Sequence, residues 1–165
     1  MPRASSPDWA SWVAREGGVI HGLPEARANR ICAGLADQST GIQLSVHILN
    51  TRSVTAYSFS DGSIFLTRGL MDRADDQELA AAISHEMGHL IHDGHLHNPL
   101  TLRGSSAGID VEAKADAIGV CILAEHHISR NAMIRVLQKV ADGTPDRAGQ
   151  AALQERMRLV ASLPN

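Results

Sequence analysis

Between residues 42 and 50 the chain alternates, with Ile42, Leu44, Val46 and Ile48 on one side and Gln43, Ser45 and His47 on the other. A period of two marks a strand with one face in a core, and it sets His47 opposite Val46 and Ile48, toward solvent or the far side of a sheet. Residues 54–59 and 63–67 predict two further strands, the second entered through Asp61-Gly62, a pair suited to a hairpin turn. The rhythm then lengthens. Leu79, Ile83, Met87, Leu90 and Ile91 recur every three or four residues and predict an amphipathic helix over 75–93. Asp75 and Glu78 form its D-x-x-E start signal, and Asp93-Gly94 its stop. Helices are also predicted over 8–16 and 24–38, the latter with Pro24 in its first turn, and over 109–126, 130–141 and 148–162. On the first of these last three, Val111, Ala115, Ile118 and Ile122 form the expected buried stripe. Residues 95–108, rich in Gly, Pro and Ser, read as a loop. Early strands, late helices and no repeat or linker predict one α+β domain over 1–165 with a small antiparallel-rich sheet.

Composition narrows the classes. A chain of 165 residues is long enough for one real core. Its net charge is −3 with mixed signs, and aromatics make up 3%, so it carries neither a basic footprint nor a stacking platform for nucleic acid. The longest apolar run, 117–124, falls far short of the roughly 20 residues of a membrane span. Residues 1–7 lack the apolar core of a secretion signal, so the chain as given is expected in the cytoplasm, or in the periplasm if a signal has been removed. Cys32 and Cys121 lie on apolar helical stretches where buried free thiols are expected; their spacing does not decide whether they pair.

The chemistry concentrates at His85-Glu86-Met87-Gly88-His89, an H-E-x-x-H motif on the 75–93 helix. Two histidines four residues apart lie one turn above the other on one helix face, here the face away from the apolar stripe, and both can reach one Zn²⁺. Glu86 then points beside the metal as a candidate general base. A catalytic zinc needs a third protein ligand and an open position. Glu112 and Asp116, four apart on the next long helix, share a face beside its stripe and are costly to bury without a neutralising partner. The bland alternative is a solvated acidic edge paired with Lys114 or Arg103. His92, His95 and His97 cluster past the motif and read as solvated side chains.

These residues carry a family resemblance. The chain resembles the gluzincin zinc metallopeptidases that include the CAAX prenyl proteases and the heat-shock protease HtpX, and in particular the small soluble minigluzincins. The resemblance runs through Thr55-Ala56-Tyr57-Ser58, residues 61–70, residues 78–82, the H-E-x-x-H motif, the E-x-x-A-D element Glu112 to Asp116, and residues 132–137. It implies a zincin-like fold, with the small sheet packed on an active-site helix. It also implies one Zn²⁺ per chain held by His85, His89 and Glu112, Glu86 as catalytic base, and Asp116 accepting a hydrogen bond from a ligand histidine. Thr55, Ala56, Tyr57 and Ser58 would form the sheet edge on which an extended peptide or unfolded-protein substrate lies.

The chain departs from that family at two places. Thr-Ala-Tyr-Ser stands where relatives often carry Asn-Ala-Phe-Ala. Toward the C-terminus, where relatives often show Ser/Thr-x-His-Pro before an arginine, there is Thr144-Pro145-Asp146-Arg147 and no histidine after His127. The electrophile is therefore left unassigned, with Arg156 the positional candidate and His126 and His127 looser ones. The leading expectation is a zinc endopeptidase. Its rivals are a latent or inactive zinc-binding relative serving as a binding or chaperone-like module, and a metal-free domain with an accidental motif. In the latent case, residues 1–22 or 142–165 would lie across the cleft. Oligomeric state is not legible.

Overall fold

The alternation at 42–50 becomes β2 (Ser45–Leu49), an inner strand of a five-stranded sheet in the computed structural model, which describes residues 9–36, 41–92, 100–104 and 108–164. The sheet runs β1 (Val19–Ile20), β2, β4 (Ser63–Thr67), β3 (Ala56–Ser58), β5 (Leu100–Thr101). Among the described residues β2 and β4 pair in parallel and the other three pairings are antiparallel. An α+β fold with an antiparallel-rich sheet is therefore what forms. The hairpin at Asp61-Gly62 closes as expected, with Phe59 N–H donating to Ser63 O at 2.9 Å.

The sheet's two faces differ in kind. Val46, Ile48, Ala56, Ile64 and Leu66, each no more than 1% exposed, point inward to the aliphatic core shared with α2 (Leu23–Leu35) and α4 (Asp76–His92). On the far face, Leu49, Phe59 and Phe65 are covered by α1 (Trp9–Arg15), whose Trp9 and Trp12 pack edge-on against Phe65. His47 lies on this far face too, 5.0 Å from the Phe65 ring. Period two fixes both faces at once, so each strand residue serves one layer or the other.

α4 begins where the start signal lies. Asp75 N–H donates to Glu78 Oε2 at 2.9 Å and Glu78 N–H donates to Asp75 Oδ1 at 2.8 Å, a reciprocal cap. The helix is buried all round from Glu78 to Leu90, so the histidine face is no solvated side. α5 (Ile109–Glu125) covers it. After α5 come α6 (Asn131–Asp142) and α7 (Arg147–Ser162), and α7 packs on both.

Several expectations need correction. The stripe read on α5 is rotated: its buried residues are Glu112, Ala115, Asp116, Gly119, Val120 and Leu123, while Val111, Ile118 and Ile122 are only half-buried. The acidic face is the inner one, because partners described below neutralise it. The 95–108 loop contains β5, and β1 and α3 (Arg68–Met71) were also unread, each being four residues or fewer. Cys32 and Cys121 are both free; Cys32 is buried, and burial lifts its thiol to about 11, but Cys121 is exposed. His92 is exposed, and His95 and His97 lie outside the described residues.

Candidate metal centre

Two helices can bring carboxylates and imidazoles together only if their backbones approach closely. Gly88, inside the motif, allows this: a Cβ there would stand 2.5 Å from Ala115 O on α5. Gly119 does the same from the other side, where a Cβ would meet Met133 Cε at 2.9 Å and His85 N at 3.1 Å. The motif's fourth residue is thus a packing requirement.

At that crossing, one atom each from His85, His89 and Glu112 lies within 4.8 Å of the others. His85 Nε2 and His89 Nε2 are 3.1 Å apart, and Glu112 Oε2 is 3.3 Å from the first and 3.6 Å from the second. Tetrahedral bonds near 2.0–2.2 Å separate neighbouring ligands by about 3.3–3.5 Å, so this spacing suits three atoms around one ion. All three side chains are buried, and among the described residues neither oxygen of Glu112 has a hydrogen-bond partner. Three buried carboxylates, Glu86, Glu112 and Asp116, face one buried guanidinium, Arg156. With both histidines neutral, as metal ligands must be, a divalent cation would cancel the two excess negative charges. Donor set, spacing and charge all fit a metal such as zinc.

The surroundings orient these donors. His85 Nδ1 lies 2.7 Å from Asp116 Oδ1, which, with the proton on Nδ1, turns the lone pair of Nε2 toward Glu112 and His89. Arg156 donates through Nε to Asp116 Oδ2 and through Nη2 to Asp116 Oδ1, both at 2.8 Å, and through Nη1 to Leu102 O at 2.6 Å. Burial opposes the imidazolium of His85, but Asp116 and then Glu112 outweigh it and raise that group to about 9. Burial also presses the Asp116 and Glu112 carboxyls upward. Arg156 above all overrides it at Asp116, and the neighbouring histidines do so at Glu112, leaving both groups lowered.

Glu86 is different. It is fully buried, Ser58 Oγ donates to its Oε2 at 2.6 Å, and its Oε1 has no hydrogen-bond partner among the described residues. Burial raises its carboxyl above the usual range, the nearby histidines reducing the effect. Such a group is a better proton acceptor than a solvated glutamate.

His85, Glu86, His89, Glu112 and Asp116 are therefore brought together. Ser58 also reaches the centre, while Tyr57 turns to the far face, where Trp12 lies 5.0 Å away. His126 and His127 sit exposed at the opposite end of α5 from Glu112, about 20 Å along the helix. Arg156, 1% exposed, is in the centre, but as the partner of Asp116. Its signal was there to read: Leu153, Arg156 and Val160 are the buried residues of α7 at helical spacing, so the arginine stands in an apolar stripe.

Comparison with known proteins bears on the same region. Residues 23–109 match Peptidase family M48, a stretch holding the sheet's core and the motif helix and ending before Glu112. The Metalloprotease LoiP of Escherichia coli (strain K12) is 33% identical over 64 residues, 39% of this chain and 25% of that protein. The Metalloprotease YcaL of the same organism is 27% identical over 105 residues, 64% of this chain and 39% of that protein. The chain thus matches less than half the length of either relative.

Proposed function

We propose, from the premise that this chain belongs to Peptidase family M48, that it is a zinc-dependent endopeptidase acting on extended or unfolded polypeptide, with residues 1–165 forming one catalytic unit. One observation carries the reading: His85, His89 and Glu112 present ligand atoms within 4.8 Å of one another, beside a buried glutamate. In this assignment those three residues hold one zinc, Glu86 is the general base, and Asp116 and Arg156 are positioning residues.

A bound zinc supplies Lewis acidity, polarising the scissile carbonyl and making water more acidic. Glu86 Oε1, which has no hydrogen-bond partner among the described residues, accepts the proton of the attacking water. Its Oε2 stays pinned by Ser58, so the carboxylate keeps its orientation while the proton moves. Glu86 then delivers that proton to the leaving amide nitrogen; its raised pKa favours the first transfer, and the strong basicity of the departing amine drives the second. Asp116 holds the ring of His85 in one tautomer, and Arg156 holds Asp116. The backbone groups of Ala56 and Ser58, which turn away from β4 toward β5, would align the substrate backbone once released.

The test is zinc content and casein digestion, measured for wild type and Glu86→Gln side by side. The expected outcome is stoichiometric zinc in both, with cleavage lost by at least about 1,000-fold in the variant. A fully active Glu86→Gln, or a wild type that binds no zinc, ends this reading.

A further inference from the structure

We propose that residues 100–102 are a strap occupying the strand edge on which a substrate would pair, so that the centre stays closed until the strap is displaced. This rests on the peptidase reading and concerns access to the same site.

Strand chemistry singles out the segment. In an antiparallel ladder, alternate residues turn their N–H and C=O groups to opposite neighbours. Thr55 and Phe59 turn toward β4, accepting from Thr67 N–H at 3.1 Å and donating to Ser63 O at 2.9 Å. Ala56 and Ser58 therefore face the other way, and this is the side β5 fills. Leu102 N–H donates to Ala56 O at 2.9 Å, and Leu100 stands opposite Ser58. The backbone groups that an incoming peptide needs are already engaged by the chain itself. They lie beside the centre, since Ser58 grips Glu86.

The strap is also fastened. Leu102 is fully buried, and its carbonyl accepts from Arg156, whose other nitrogens hold Asp116. With Leu102 bonded on both sides and Leu100 turned to β3, Thr101 alone in this segment turns its backbone outward. One residue is too little ladder for a peptide to pair outside β5. A substrate must take its place. β5 is two residues long and outermost among the described strands, the part of a sheet with least to hold it. Exchanging one strand for another conserves backbone hydrogen bonds, so a longer extended chain prevails through the contacts it adds. The strap then works as a threshold against short or folded partners.

Tyr57 and Thr101 face each other directly as the non-hydrogen-bonded pair, a position where Cα atoms lie about 4.5 Å apart and a disulfide can form. Tyr57→Cys/Thr101→Cys, built with Cys121→Ser and Glu86→Gln, locks the strap when oxidised and frees it on phosphine reduction. Fluorescence anisotropy with fluorescein-labelled insulin B chain reads binding without cleavage. The oxidised form should bind at least about tenfold more weakly than the reduced form. Equal binding, or no binding in either form, overturns the strap. In a second, cysteine-independent variant, Leu100→Pro removes the N–H that faces Ser58; it should bind the same peptide several-fold more tightly than its parent, and unchanged or weaker binding counts against the proposal. Casein digestion by the oxidised and the reduced protein, with Glu86 restored, separates the two ideas. Redox-dependent binding without cleavage leaves the strap standing and removes the peptidase reading; cleavage that is equal in both redox states does the reverse.

Discussion

Glu78 and Glu112 are two glutamates on adjoining helices, each 2% exposed, and their surroundings are opposite. Around Glu78 every demand is met. Its carboxylate caps Asp75 N–H and accepts from Lys139 Nζ at 2.5 Å and Arg135 Nε at 3.2 Å. Around Glu112 the partners are the metal-centre residues alone: among the described residues neither oxygen has a well-formed hydrogen bond, though His85 Nε2 stands 3.3 Å away and an Arg156 nitrogen 3.4 Å away. A buried acid that builds a fold is satisfied by the fold. One left unsatisfied among imidazoles is arranged for something that arrives later.

Exchanging each acid for its amide puts the contrast at risk. Glu112→Gln should weaken zinc binding at least about 100-fold in a chelator competition, while the stability of the zinc-free protein moves by no more than about 1 kcal/mol. Glu78→Gln should leave zinc affinity unchanged. If Glu78 proves the more important for metal, the comparison is inverted.

A smaller effect should follow from pushing the helices apart. The Cβ added by Gly88→Ala meets the carbonyl of Ala115 at 2.5 Å, and main chain cannot swing aside as a side chain does. A loss of about 1–3 kcal/mol in urea unfolding is expected, with weaker zinc binding because Glu112 rides on the displaced helix. Unaltered stability and affinity would mean the crossing is looser than described.

The smallest effect belongs to pH. Burial pushes the Glu78 carboxyl upward, but the bonds from Lys139 and the Asp75 amide outweigh it, so its folded value is lowered from 4.5. The stability this confers is present above the unfolded value and is lost as pH falls through the folded one. Urea midpoints between pH 6 and pH 3 should therefore fall more steeply in wild type than in Glu78→Gln, the difference amounting to about 1 kcal/mol. Parallel pH profiles would show that Glu78 adds no acid sensitivity.

What could be read in the chain follows the range over which its physics acts. The motif helix, its cap and the shared face of His85 and His89 depend on neighbours three and four residues away, so their spacing is legible. Glu112 and Asp116 were legible as a pair, but their burial was not: counting acids as polar rotated the inferred stripe of α5 away from its true inner face. Arg156 meets Asp116 across 40 residues of chain, and β5 meets β3 across more than 40, distances at which no local periodicity carries information. An arginine at a core position of α7 was the one hint.

The far face of the sheet has a practical consequence. Trp9, Trp12, Tyr57, Phe59 and Phe65 are all the aromatic residues the sequence contains, and they form one continuous stack beneath α1. Intrinsic emission and near-ultraviolet dichroism therefore report on the seating of that first helix. Optical melting curves will track the outer layer, and detachment of α1 would register as a transition even while the histidine-bearing helix remains in place.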